Sequence, residues 1–205
     1  MLYDITPTIS PRLGVWPGDT PCSREVITRL EEGALSTLST IHATAHLGAH
    51  ADAPCHYDEQ GECMAERSLE FFLGPCQVID AEIGNGERFG MEHLHEPITE
   101  PRVLFRTGTF PDPERWNDDF AGIEPGLIES LGAQGVRTVG IDTPSVDLLS
   151  AEELIAHRAC ARCDITILEG LLLRDVPAGR YELIALPLKL EGFDASPVRA
   201  VLRTL

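Results

Sequence analysis

The chain has 205 residues, enough to bury about 70% of its unfolded surface around a core of its own, so one domain over 1–205 is the simplest count. Lys plus Arg number 16 against 33 Asp plus Glu, a formal net charge of −17, which repels nucleic acid and anionic membrane surfaces and excludes both as expected partners. No stretch approaches the roughly 18 apolar residues of a membrane span, and M-L-Y-D-I-T-P carries an acid where a secretory signal would carry Lys or Arg, so a soluble, cytoplasmic protein is expected.

In chain order, Leu13–Pro21 is rich in turn residues and precedes strand-like runs over Glu25–Leu30 and Ser36–Ala43. His56–Arg67 is again turn-rich, followed by strand-like Gln77–Asp80 and Arg102–Thr107, and then the turn-rich Phe110–Gly122. Pro125–Ala133 reads as a helix opened by proline with glycines near its end. After a strand over Val136–Asp142, a second helix is predicted over Ser150–Arg162, where Ser150 can cap and Glu153 can return the hydrogen bond. Ile165–Leu168 and Tyr181–Leu188 complete the strands. Strands outnumber helices and the two helices alternate with them, which predicts a mixed α/β domain with a large, partly rolled central sheet. The three turn-rich segments are candidate active-site loops.

The chemistry concentrates in the run H-L-G-A-H-A-D-A-P-C-H over residues 46–56, which packs His46, His50, Asp52 and His56 into eleven positions. Imidazole nitrogen with carboxylate oxygen suits Zn, Mn or Fe, whereas a calcium site is built from oxygens. His46 and His50 are four apart, as on one helix face, but Gly48 costs a helix about 1 kcal/mol relative to Ala and Pro54 pushes Ala53 toward extended backbone. An extended or looped segment fits better. Its alternation would turn His50, Asp52, Pro54 and His56 to one face and the small Ala49, Ala51 and Ala53 to the other, free to pack closely.

Elsewhere the signals are thinner. His42, His93 and His95 read as surface or hydrogen-bonded residues. His157 lies in the predicted second helix, and Glu169 ends the apolar run I-T-I-L-E-G-L, where it is either solvated at a strand end or buried against a cation. The six cysteines are scattered through a chain too large to need disulfide staples, so reduced thiols are expected, with Cys160 and Cys163 of C-A-R-C on a helix face. Trp16 taken alone reads as a core aromatic, but Pro17, Gly18 and Pro21 around it suit presentation from a turn-rich loop. No role follows for Trp116.

Over nearly its whole length the chain resembles the bacterial kynurenine formamidases (arylformamidases) within the cyclase-like metal-dependent hydrolases. The resemblance rests on H-L-G-A-H-A-D-A-P-C-H-Y, on D-I-T-P-T-I-S-P-R-L-G-V-W-P-G-D-T-P, and on I-D-T-P-S-V-D, I-L-E-G-L, Y-E-L-I-A-L-P-L-K-L and D-A-S-P-V-R-A-V-L-R. It implies a swivelling β/β/α fold, a homodimer, and two zinc ions per subunit. His46, His50 and Asp52 would hold one ion, Asp52 would reach the second, held by His157, and Glu169 would bridge or join both. It also implies His56 as the acid/base residue, Trp16 as a substrate-contacting ring, and hydrolysis of N-formyl-L-kynurenine to L-kynurenine and formate in tryptophan catabolism. Cys55, Cys63 and the C-A-R-C pair depart from the pattern and bear on oxidative robustness. Two other functions compete: another amide, lactam or ester hydrolase, such as one opening isatin-like rings, and a non-catalytic zinc module, which would leave His56 and the Trp16 loop without a role.

Overall fold

The computed structural model describes residues 1–205. Thirteen strands and two helices follow in chain order: β1 (Leu2–Asp4), β2 (Ser23–Thr28), β3 (Leu38–His42), β4 (His50–Asp52), β5 (Leu73–Asp80), β6 (Arg88–Phe89), β7 (Arg102–Arg106), β8 (Gly122–Ile123), α1 (Pro125–Ala133), β9 (Thr138–Ile141), α2 (Ile155–Cys163), β10 (Thr166–Glu169), β11 (Gly179–Ile184), β12 (Ala195–Pro197) and β13 (Val201–Thr204). Nine strands form one mixed sheet in the order β1-β13-β11-β5-β7-β9-β10-β4-β12. Its centre, β5-β7-β9-β10, is parallel, and antiparallel strands extend it on both sides.

The parallel strands are buried on both faces, which is why they read as near-continuous apolar runs. Side chains alternate across the sheet: Ile79, Val103, Phe105 and Ile167 pack beneath α1 and α2, while Val78, Leu104 and Leu168 join a second core on the opposite face. Each fully buried Ile, Leu or Phe contributes about 1.5–3 kcal/mol, so both faces hold the sheet. Helices cover one face only, and β4 belongs to the same sheet, with Ala49, Ala51 and Ala53 in the core of the opposite face. No helix is long and apolar enough to cross a membrane.

Helix α1 spans the predicted residues, with Pro125 in its first turn. Helix α2 does not: it starts at Ile155, and no Ser150–Glu153 capping box forms. The carboxylate of Asp147 captures the orphan first-turn donors instead, accepting from the Ala156 amide at 3.1 Å and the His157 amide at 3.2 Å. The short strands β1, β12 and β13 lie outside the predicted set, whereas β4 falls in the run already read as extended.

Candidate metal centre and substrate cavity

Strand β4 lies between β10 and β12, with Asp52 opposite Ile167 and Ala195, and His50 opposite Glu169 and Pro197. His50 and Asp52 are two apart and share a face, and Glu169, directly across from His50, joins them there. A close backbone approach secures this register. Gly170 has φ +65°, and a Cβ on it would fall 2.2 Å from the Gly48 carbonyl oxygen, so any side chain would force β10 away from β4. Ala49, Ala51 and Ala53 turn to the opposite side and are at most 1% exposed, as their small size allows.

The extended run ends sooner than the sequence suggests. Only His50–Asp52 is strand; Pro54 opens a 3-10 turn over Pro54–His56. That turn, not strand alternation, brings the His56 ring to 4.3 Å from the His46 ring and 5.8 Å from that of His157.

His46, His50, Asp52, His157 and Glu169 converge. The His50 Nε2 lies 3.4 Å from Asp52 Oδ1 and 3.3 Å from Glu169 Oε2; the His157 Nε2 lies 3.4 Å from Asp52 Oδ2 and 3.5 Å from Glu169 Oε1. His46 Nδ1 stands 3.1 Å from Asp52 Oδ1. Two ligands each about 2.0–2.1 Å from a tetrahedral ion would be separated by about 3.3–3.4 Å, so the four contacts of His50 and His157 are spaced as ligands of a divalent ion would be. Asp52 and Glu169 each present one oxygen to His50 and the other to His157. Both Asp52 oxygens and the His50 Nε2 are buried without a hydrogen-bond partner, a cost that a bound cation removes. The donor set fits a divalent transition metal.

Outer contacts fix which imidazole nitrogens face inward. The His50 Nδ1–H donates to the Gly48 carbonyl at 2.9 Å, and the His157 Nδ1–H donates to Asp147 at 2.8 Å, leaving both Nε2 lone pairs toward the carboxylates. Burial disfavours a charged His157, but Asp147 and Asp52 outweigh it and raise its pKa to about 10; at His46 the same opposition, with Asp52 and Asp194 prevailing, raises it to about 9. Burial would raise the Asp52 carboxyl, yet the His157 and His46 imidazoles hold it well below the usual carboxylate range. The buried carboxylates therefore favour positive charge beside them, which the protonated imidazoles carry where no cation is bound.

A cavity of about 440 Å³ opens over these residues. Trp16, Phe110 and Trp116 line it, and with the buried Phe120 they form an edge-to-face cluster in which Trp16 stands 5.8 Å from Trp116 and 6.2 Å from Phe120. Trp116 thus shares a wall with Trp16. The Leu13–Pro21 and Phe110–Gly122 segments supply that wall, whereas of the His56–Arg67 loop only His56 reaches the cavity.

Sequence reasoning missed two residues here. Asp147, fully buried, orients His157. Asp194 lies 3.1 Å from His46 Nε2 and 3.4 Å from His56 Nδ1. Neither has a local signal beyond sitting in S-V-D and F-D-A-S-P, since what matters is a partner 10 or 148 residues away in the chain. The remaining histidines stay apart: His42 pairs with Glu25, His95 with Glu82, and the Gly90 amide donates to His93. Cys160 is buried in the core and Cys163 packs against Gly132 of α1.

The profile of the family described as "Putative cyclase" matches residues 3–148. Among solved structures, a potential metal-dependent hydrolase with cyclase activity is 30% identical at a TM-score of 0.86, covering 98% of this chain and 96% of that one. A predicted metal-dependent hydrolase from Bacillus stearothermophilus is 30% identical at a TM-score of 0.82, with 98% and 97% covered. Isatin hydrolase A from Labrenzia aggregata, bound to benzyl benzoate, is 26% identical at a TM-score of 0.83, with 98% and 93% covered.

Proposed function

The chain belongs to the cyclase family of metal-dependent hydrolases, and from that premise we propose that it hydrolyses an aryl formamide, N-formyl-L-kynurenine, to L-kynurenine and formate, as an arylformamidase of tryptophan catabolism. His46, His50, Asp52 and Glu169 would hold one zinc, and His157 with the second oxygens of Asp52 and Glu169 another. The observation that carries the proposal is this sharing: each carboxylate faces His50 with one oxygen and His157 with the other, beneath a cavity walled by Trp16 and Trp116.

When bound, the metal pair supplies Lewis acidity, which brings a water's pKa from 15.7 down to about 7 and stabilises charge developing on the formyl oxygen. The protein's own residues do the rest. The aromatic wall takes the aryl ring and excludes water. His56, held by Asp194 and outside the ligand set, accepts the proton of the attacking water and delivers it to the nitrogen as the C–N bond breaks, because an aryl amine departs poorly as an anion. Asp194 keeps the ring in place for both transfers.

The likeness to isatin hydrolase A makes opening of a cyclic aryl amide the second reading. Steady-state assay of the purified protein with N-formyl-L-kynurenine and with isatin, before and after chelation, tests both. Turnover of the formamide that is lost on chelation supports the proposal, and turnover of isatin alone overturns it.

Assembly as a homodimer belongs to the same proposal. The β2–β3 hairpin carries Ile27, Leu30, Leu35, Leu38 and Ile41, each more than half exposed, an apolar surface suited to a second copy.

A further inference from the structure

The cavity has a charge character that the metal centre and the aromatic wall do not explain. None of its lining residues is Lys or Arg, and Arg12, next to the lining Leu13, is held by Glu114 at 2.9 Å. Two acids line it without belonging to the ligand set or touching His56: Asp142, buried with its oxygens accepting from the Thr107 amide and hydroxyl and the Gly108 amide, and the less buried Asp19. Trp16, Pro17, Gly18 and Asp19 form a single turn: the Asp19 amide donates to the Trp16 carbonyl at 2.9 Å, Pro17 is second and Gly18 third, with φ +98°. That is a type II turn, and it sets its first and fourth residues side by side. An aromatic ring and a carboxylate are thus offered to the cavity from the two ends of one turn. Thr44 fixes the acid. Its hydroxyl donates to Asp19 Oδ2 at 3.2 Å and accepts from the His46 amide at 3.3 Å, so Asp19 is two hydrogen bonds from the backbone of a residue in the candidate metal centre.

We infer that Asp19 is a specificity-determining residue that binds a primary ammonium group carried on a short chain from the substrate's aryl ring. This inference rests on the formamidase proposal, for it assigns the amino-acid end of that substrate. The ring stacks at Trp16, the formamide faces the histidines, and the ammonium falls to the carboxylate beside the ring, whose remaining lone pairs no side chain takes. A substrate carboxylate meets no fixed cation among the lining residues, so the cavity selects for the ammonium and not for the carboxylate.

Four compounds separate these contributions: N-formyl-L-kynurenine, the amine lacking its carboxylate, the keto acid lacking its ammonium, and 2-formamidoacetophenone, which lacks both. With the zinc-loaded enzyme, removing the ammonium is expected to lower kcat/KM about tenfold or more, mainly through KM, as for a lost hydrogen bond to a charged group. Removing the carboxylate should change it less than about threefold. Asp19→Asn, which keeps the turn and the Thr44 contact, should bring the ratio of ammonium-bearing to ammonium-free substrates close to one. A ratio unchanged in Asp19→Asn, or a keto acid as good as the parent, overturns the inference while leaving the formamidase proposal standing. Failure of the enzyme to hydrolyse any of the four overturns both.

Discussion

The carboxylate of Asp147 accepts the Nδ1–H of His157 at 2.8 Å while also capping the first turn of the helix that carries that histidine. One fully buried residue therefore sets both the position and the tautomer of the ring whose Nε2 faces Asp52 and Glu169. Arg88 balances its charge, donating to the other oxygen at 2.6 Å.

Asp147→Asn retains an acceptor for the helix but loses the charge that makes His157 a strong donor of its lone pair. Zinc affinity should fall about 10–100-fold, the range for outer-shell partners, with the helix intact. Titration against a competing chelator measures this, and unchanged affinity would show that Asp147 matters only as a cap.

His56 has a different expected signature. Its ring approaches those of His46 and His157, and its ligating nitrogen lies within 4.8 Å of the ligating atoms of His46 and Asp52; with the proposed role of proton transfer and not ligation, His56→Ala should keep its zinc and fold yet lose about 10²–10⁴ in kcat. An ester analogue, whose leaving oxygen needs less protonation, should lose less than the formanilide. Loss of zinc from the variant would make His56 a ligand, and equal losses on ester and amide would argue against proton delivery to the nitrogen.

Stripping the metal should expose a pH dependence that zinc conceals. His46 and His157 are raised to about 9 and about 10 from an ordinary value of 6.5. A group whose pKa is higher folded than unfolded stabilises fully below the unfolded value, and that contribution is lost as pH rises through the folded one. The Tm of the chelated protein should therefore fall between about pH 7 and pH 10, and that of the zinc-loaded protein should fall less, because the cation replaces those protons. Parallel Tm curves for the two forms would contradict this.

Leu35, wholly exposed, and Ile41 stand on the β2–β3 hairpin. Leu35→Asp combined with Ile41→Asp should convert a dimer to a folded monomer in sedimentation, since two buried charges without partners oppose association. A dimer that persists would place the interface elsewhere.

How much of this was legible in the chain depends on how local each signal is. The run from His46 to His56 declares metal chemistry because ligating atoms within eleven residues can only be neighbours, and the alanines between them allow the close packing observed. The apolar runs of β7, β9 and β10 and the proline-led α1 are equally local. The residues around Glu169 leave it between solvent and cation and only the resemblance makes it a ligand, whereas the pairing of β10 with β4 puts it opposite His50. Asp147, Asp194 and Asp19 carry no signal of their own, since an acid in a turn-rich segment is ordinarily solvated. Register across β4, β10 and β12, the close pass of Gly170 against Gly48, and the turn at Pro54 bring groups more than a hundred residues apart within 3–4 Å. Residue types set which atoms could bind a metal, and long-range strand pairing decided which of them share one.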